Sequence, residues 1–392
     1  MSETTVGKAT AEAARPKGLE GVVAGSTAIS NVEGTIGRLS YRGYMIQDLV
    51  AHCSFEEVFY LLIYGELPTR AQLAEFDGKL RERRALPDKA MQVLRTLPLT
   101  GEPIDVLRTM VSTLALLDPD VNNTQHDAVI DKAITLAARM PTIVAAYDRL
   151  RAGKEPVAPD PGLGHAGNLL YMIKGERPAP EDEDALDAYF VLTAEHSFNA
   201  STFTAKIVIS TLSDYYSGIV GAICSLKGPA HGGANQKAME MLLEIGDVDN
   251  VEAFIDRALA TKRRLMGLGH RIYKTYDPRA AQLNEHARIV AERTGNTKWY
   301  QIARRVDEIS HTHPYFAERK IYPNVDFYSA PLLYTLGFKP DVMPTLFACS
   351  RIGGWTAHIL EQLADNRIIR PNAEYIGPDI RQFVPIDRRG QS

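Results

Sequence analysis

The chain has 392 residues, 45% hydrophobic and 23% charged, with a formal net charge of -4 at pH 7. That makeup belongs to a globular protein large enough for two domains and excludes a disordered or fibrous chain. Without a basic excess no nucleic-acid partner is expected, and without a run of about 18 apolar residues no membrane span is expected either.

In chain order, the N-terminal MSETTVGKATAEAARPKG has no apolar segment, and Glu3 and Glu12 are out of place in an acid-poor transit peptide, so a cytoplasmic location is expected. Residues 21–44 are rich in Gly, Val, Ile and Thr and predict short strands and turns. From about residue 45 the pattern becomes helical. Ser54 with Glu57 three residues on reads as a capping box, and Gly65 closes the helix it opens. Further helical patterns cover IDVLRTMVSTLALL, HDAVIDKAITLAARMPTIVAAYDRL, DALDAYFVLTAEH, ASTFTAKIVISTLSDYY, NVEAFIDRALATKRRL, PRAAQLNEHARIVAERTG and VMPTLFACSRIGGWTAHILEQLA. The fold class is therefore mainly α, with a small β element near the N-terminus. Pro and Gly in GKEPVAPDPGLG break the pattern at 153–164. Turns cluster again at 227–235 and 321–331, which suggests a large domain over 1–225, a smaller one over 226–325, and a return to the large domain over 326–392, with hinges at the two boundaries.

The three cysteines, Cys53, Cys224 and Cys349, are far apart and form no CxxC pair. They argue against a disulfide framework or a zinc cluster and read as small buried hydrophobes in a reducing compartment. Gly162, Gly164 and Gly167 match GxGxxG, but EPVAPDP precedes them instead of a hydrophobic strand, so the run reads as a turn starting a helix. A dehydrogenase accordingly has little support. His311 and His313 are spaced HxH with no accompanying ligand pattern, and no metal is expected. HExxH, P-loop and GxSxG motifs are absent from the sequence.

The informative stretches lie elsewhere. In GPAHGGANQKAMEMLLEIG, the stripe Ala238, Leu242, Ile245 begins a helix just after His231. The positive end of that helix would keep His231 neutral and able to donate a hydrogen bond; a capping or core histidine is the plainer alternative. In LMGLGHRIYKTYDPR, Gly267 and Gly269 set His270 on a tight turn. Residues 257–279 hold seven Lys or Arg against the single acid Asp277, a density suited to a polyphosphate unless it is a solvated basic face. Arg279, at a helix start after Pro278, has the fork geometry for a carboxylate. Asp326, between Val325 and Phe327, reads either as a desolvated general base or as an N-cap. His196, Asn199 and Ser201 fall close together, and Arg351 and Arg370 mark the last helical region.

Taken in order, AEHSFNASTF, LKGPAHGGANQ, LMGLGHRIYKTYDPR, PNVDFYSA, CSRIGG and IIRP resemble the motif series of the citrate synthase family, from about residue 41 to Arg370. The short length is similar to the dimeric type. The resemblance implies a large and a small helical domain closing over acetyl-CoA and oxaloacetate, a homodimer, and no metal or redox cofactor. By position, Asp326 matches the base that takes a methyl proton, His231 the histidine bonding the thioester oxygen, and His270 the one polarising the oxaloacetate carbonyl. His196, Arg279 and Arg351 match oxaloacetate ligands, Arg370 an arginine from the neighbouring subunit, and Asn199 and Ser201 supports behind the contacting side chains. The glycines would let His270 and its backbone meet substrate closely, with Arg271 and Lys274 reaching CoA phosphates. Thr193 stands where many longer members carry histidine, and DNRII before Arg370 is one residue shorter than in several relatives. The expected reaction is citrate formation; 2-methylcitrate formation from propionyl-CoA and a non-catalytic CoA- or carboxylate-binding regulator are the alternatives.

Overall fold

A computed structural model describes residues 17–390; Glu3, Glu12 and the rest of the N-terminal arm before residue 17 lie outside the described range. The Val- and Ile-containing stretch folds as an antiparallel meander, β1 (Ser30–Glu33), β2 (Arg38–Tyr41) and β3 (Tyr44–Met45), with Val32 opposite Leu39. Leu39 and Tyr41 point inward from β2, and the Tyr41 phenol donates to the carbonyls of Leu192 and Glu195. The β1–β2 turn reaches in another direction. The Gly34 carbonyl accepts from the Lys274 N–H at 2.9 Å, and a Cβ on Gly34 would stand 2.3 Å from the Ile272 carbonyl oxygen. Only glycine permits that approach.

Helices follow: α1 (Ile46–His52), α2 (Phe55–Tyr64), α3 (Arg70–Glu82), α4 (Asp88–Thr96), α5 (Pro103–Leu116), α6 (His126–Arg151), α7 (His165–Lys174), α8 (Pro180–Thr193), α9 (Ala200–Ser210) and α10 (Tyr215–Leu226). Then come α11 (Ala234–Ile245), α12 (Val251–Ala260), α13 (Pro278–Thr294), α14 (Lys298–Thr312), α15 (Pro314–Arg319), α16 (Val325–Thr335) and α17 (Met343–Ala364). Ser54 and Glu57 form the expected capping box on α2, and Gly65 ends it in the left-handed region. Gly164 is the N-cap of α7, so the GxGxxG run is a helix start.

Helix α17 is the axis of the core. Every residue from Met343 to Leu360 is buried, as expected of a helix apolar on all sides, and it packs against α2, α6, α8, α9 and α10. Gly354 in its middle lets it approach the turn after α8: a Cβ there would lie 2.5 Å from the Ala194 carbonyl oxygen, and the Gly354 N–H donates to that oxygen. Helices α11, α13 and α14 gather around α16, and α13 also packs on α8.

Several predicted boundaries move. Helix α8 stops at Thr193 instead of running through His196, because the Ala194 carbonyl is taken by α17 and Ser197 adopts a positive φ of 50°. The run 200–216 is two helices, parted at Leu212 (φ 64°) with Asp214 capping the second. Helix α12 ends at Ala260, because Lys262 takes the left-handed conformation and the Arg263 N–H returns to the Ala258 carbonyl. Helix α14 is absent from the predicted set. The thiols are free, but only Cys349 is fully buried; Cys224 sits exposed on α10 beside Arg108, which corrects the reading of all three as buried hydrophobes.

Candidate active site

His196, His231, His270 and Asp326 come from four separate segments and line one cavity of about 1470 Å³. The turn between α8 and α9 carries His196. The loop before α11 carries His231, the loop before α13 carries His270, and the first turn of α16 carries Asp326.

Asn324, not Asp326, caps α16: its side chain accepts the Asp326 N–H at 3.0 Å. The Asp326 carboxylate is thereby released from capping. Its Oδ1 is buried with no hydrogen-bond partner, and burial raises the carboxyl to about 7 against the opposing pull of Arg279. Such a group takes a proton readily near neutral pH.

The two histidines are fixed in complementary ways. His270 Nδ1 accepts the backbone N–H groups of Ile272 and Tyr273 at 3.1 and 3.2 Å, so a neutral ring carries its proton on Nε2. His231 Nε2 accepts the Ser201 N–H at 3.3 Å and lies 2.8 Å from Ser201 Oγ, which leaves the proton on Nδ1. Ser201 is itself held by Asn199 Oδ1 at 2.8 Å and by the Trp355 indole N–H at 3.0 Å, while Asn199 caps α9. Burial, then Arg351, lowers His231 to about 3; burial, then Arg279, lowers His270 to about 4. Both are neutral donors at pH 7. His231 stands three residues ahead of α11, as the sequence predicts.

Gly267 and Gly269 pack the His270 loop against the segment before α16. Both have positive φ, and a Cβ on Gly267 would sit 3.0 Å from Phe327 Cα. The Gly267 carbonyl accepts from the Asn324 N–H, the Gly269 N–H donates to the Tyr322 carbonyl, and the Asn324 side chain bonds the Gly269 carbonyl. The loop bearing His270 is thus zipped to the segment that leads into Asp326; Gly269 also lines the cavity.

The arginines divide. Arg279 is buried and forked onto Asp277, with Nε to Oδ1 at 3.0 Å and Nη2 to Oδ2 at 2.8 Å. Asp277 also caps α13 and accepts the Val325 N–H. Arg351 is buried behind the histidines, donating to the Thr193 carbonyl at 2.6 Å. Neither lines the cavity; each contributes its field. Arg271 lines the cavity and donates to the Gly18 carbonyl at 3.0 Å, and Lys262 and Arg264 lie on the same wall. Lys274 is exposed outside it, bonded to the Arg271 carbonyl, and Arg370 lies on the exposed segment that follows α17. His311 stacks between Tyr276 and Tyr322 and pairs with Asp307, while His313 caps α15; no cluster able to hold a metal occurs among the described residues. No described helix is long and apolar enough to cross a membrane.

A second polar group lies behind this site. Glu195 Oε1 accepts from Ser30 Oγ, the Ser197 N–H and His358 Nε2, the last at 2.9 Å, with Glu195 and His358 fully buried. Glu361 lies 3.6 Å from His358 and 3.5 Å from Lys206, and also takes the Ala28 N–H. This cluster anchors the turn bearing His196 to α17.

The sequence model of the citrate synthase C-terminal domain matches residues 18–372. Citrate synthase 2 of Bacillus subtilis is 45% identical, covering 95% of this chain and 99% of its own. 2-Methylcitrate synthase 1 of Corynebacterium glutamicum is 42% identical, covering 95% and 98%. The ternary complex of Thermoplasma acidophilum citrate synthase with carboxymethyl coenzyme A and oxaloacetate superposes with a TM-score of 0.90 at 34% identity, over 95% of this chain and 99% of that one. A carboxylate with one oxygen left unpartnered, two neutral imidazoles with opposite tautomers and this likeness across nearly the whole length agree: the chain is an acyltransferase and belongs to the citrate synthase family.

Proposed function

We propose that the protein condenses acetyl-CoA with oxaloacetate and hydrolyses the resulting citryl thioester, giving citrate and free CoA. The observation that carries this reading is that Asp326, a carboxylate whose buried Oδ1 has no hydrogen-bond partner, lines the same cavity as His231 and His270. A thioester methyl is a very weak acid. Offsetting a mismatch of ~10 pK units requires about 14 kcal/mol, more than one carboxylate supplies. Asp326 takes the methyl proton while the His231 Nδ1–H bonds the thioester oxygen, where charge develops. The enolate carbon then bonds the oxaloacetate carbonyl carbon, whose oxygen takes the His270 Nε2 proton; the ring regains a proton from the incoming water, and the proton held by Asp326 leaves on the thiolate sulfur. Water finally cleaves the thioester, releasing the CoA thiol and the new carboxylate. No electron transfer is involved, so the reaction as written needs no redox cofactor, and Asp326, His231 and His270 are assigned the proton and charge handling without a metal.

In this reading His196 contacts oxaloacetate, Arg279 and Arg351 serve its carboxylates once the two domains close, and Arg370 acts across a homodimer. Arg271 and Lys274 serve CoA phosphates, and the enzyme works in the cytoplasm. Closure excludes water and strengthens each bond to the developing charge. The resemblance to a 2-methylcitrate synthase supports a second reading, propionyl-CoA as acyl donor. One methylene discriminates by only about 1–3 kcal/mol in an apolar pocket. Thiol release with oxaloacetate and each acyl-CoA tests both: a higher kcat/KM for acetyl-CoA supports the first reading, and a higher value for propionyl-CoA replaces it with the second. Binding of both substrates without thiol release would leave a regulator.

A further inference from the structure

Tyr273 is 2% exposed and does not line the cavity, yet it grips two histidines that do. Its backbone N–H donates to His270 Nδ1 at 3.2 Å, and its ring centroid lies 4.8 Å from that of His270. Its phenol oxygen stands 3.2 Å from His196 Nε2. With the Tyr273 phenol as donor, a neutral His196 ring accepts at Nε2 and carries its own proton on Nδ1. The Arg279 guanidinium completes the stack, 5.9 Å from the Tyr273 ring.

We propose that Tyr273 is a positioning residue for the keto-diacid substrate: it holds the His196 and His270 rings, 5.4 Å apart and at 70°, as one rigid pair. The two grips are chemically separable, since the phenol acts on His196 and the backbone N–H on His270. Removing the hydroxyl therefore loosens His196 alone. The name of the substrate rests on the citrate synthase reading; the coupling of the two rings does not.

Tyr273→Phe keeps the ring packing and the backbone bond. It should raise the KM for oxaloacetate about five-fold, the worth of one hydrogen bond, with kcat, the KM for acetyl-CoA and the melting temperature nearly unchanged. An unchanged oxaloacetate KM overturns the proposal. So does a lower one, which would mean that the phenol competes with substrate for His196. A second readout needs no turnover. With ring-13C histidine, whose Cδ2 shift distinguishes the tautomers, the His196 signal (assigned by its loss in His196→Asn) should report an Nδ1–H ring. In Tyr273→Phe that signal should move while the His270 signal stays. An unmoved His196 signal overturns the proposal even if the wild-type protein releases no thiol, a result that would count against the citrate synthase reading instead.

Discussion

Two carboxylates lie near the same histidine-lined cavity and end in opposite states. Glu195 is fully buried, but His358 at 2.9 Å, Ser30 and the Ser197 N–H converge on one of its oxygens. Burial alone would raise it; His358, Arg351 and Ser30 together outweigh burial and hold it below the ordinary carboxylate range. Asp326, like Glu195 at Oε2, keeps one buried oxygen without a partner, but no imidazole is hydrogen-bonded to it, and burial prevails, taking it to about 7. One carboxylate is fixed as a charge that binds secondary structure together. The other is left under-solvated and ready to accept a proton. The difference is made by neighbours, not by residue type.

Exchanging the carboxylate for an amide tests the working half of this pair. Asp326→Asn should cut kcat about 10³- to 10⁴-fold while oxaloacetate still binds by calorimetry. Near-normal turnover removes Asp326 as the base. Because its folded-state value is raised, the ionised form is the disfavoured one, so its contribution to stability falls as pH rises from about 4 to about 7. The amide variant should accordingly melt higher than wild type in alkaline buffer.

Breaking the structural half comes next in size. His358→Ala strands Glu195 in the core, and urea unfolding should record a loss of about 3–5 kcal/mol. The sign with pH is the same as that of Asp326, because both folded-state values are raised. Against burial, Glu195 raises His358 above its ordinary value, so the stabilisation is full below about 6.5 and is lost as pH rises through the folded value. The deficit should therefore be larger at about pH 6 than at about pH 9, and an equal deficit at both would mean that the imidazole is neutral in the fold.

The smallest effect needs no variant. The kcat/KM for the acyl-CoA should rise about tenfold per pH unit on the acid side and level off above about 7, as Asp326 ionises. His231 and His270, at about 3 and about 4, are neutral well below that range and add no limb of their own. A flat profile through pH 7 would erase the contrast between the two carboxylates.

Much of this was legible in the residues. Ser54 with Glu57, the helix start after His231 and the apolar run of α17 are local signals, and short-range physics decides them. His231, His270 and Asp326 were legible as chemistry, but the choice between base and cap for Asp326 turned on Asn324, two residues away and equally able to cap. What stayed hidden depends on distant partners. No Gly or Pro marks the end of α8 at Thr193; the Gly354 N–H of α17 and the left-handed Ser197 do. Lys262 fills a left-handed position usually given to glycine, so α12 reads too long. The omission of α14 is different, because Ile302, Val306 and Ile309 carry a readable helical stripe. Glu195 and Tyr273 lie within AEHSFNASTF and LMGLGHRIYKTYDPR without a readable role, and His358 lies in no motif, since their partners are brought together only by tertiary packing.

The contact between Gly34 and the Ile272 carbonyl has a practical corollary. A two-strand turn near a chain terminus is ordinarily a favoured place to splice in a tag or fluorescent reporter. Here such a splice would push on the very peptide groups that orient an imidazole across the molecule, and the cargo would be felt in turnover before it was felt in solubility or expression.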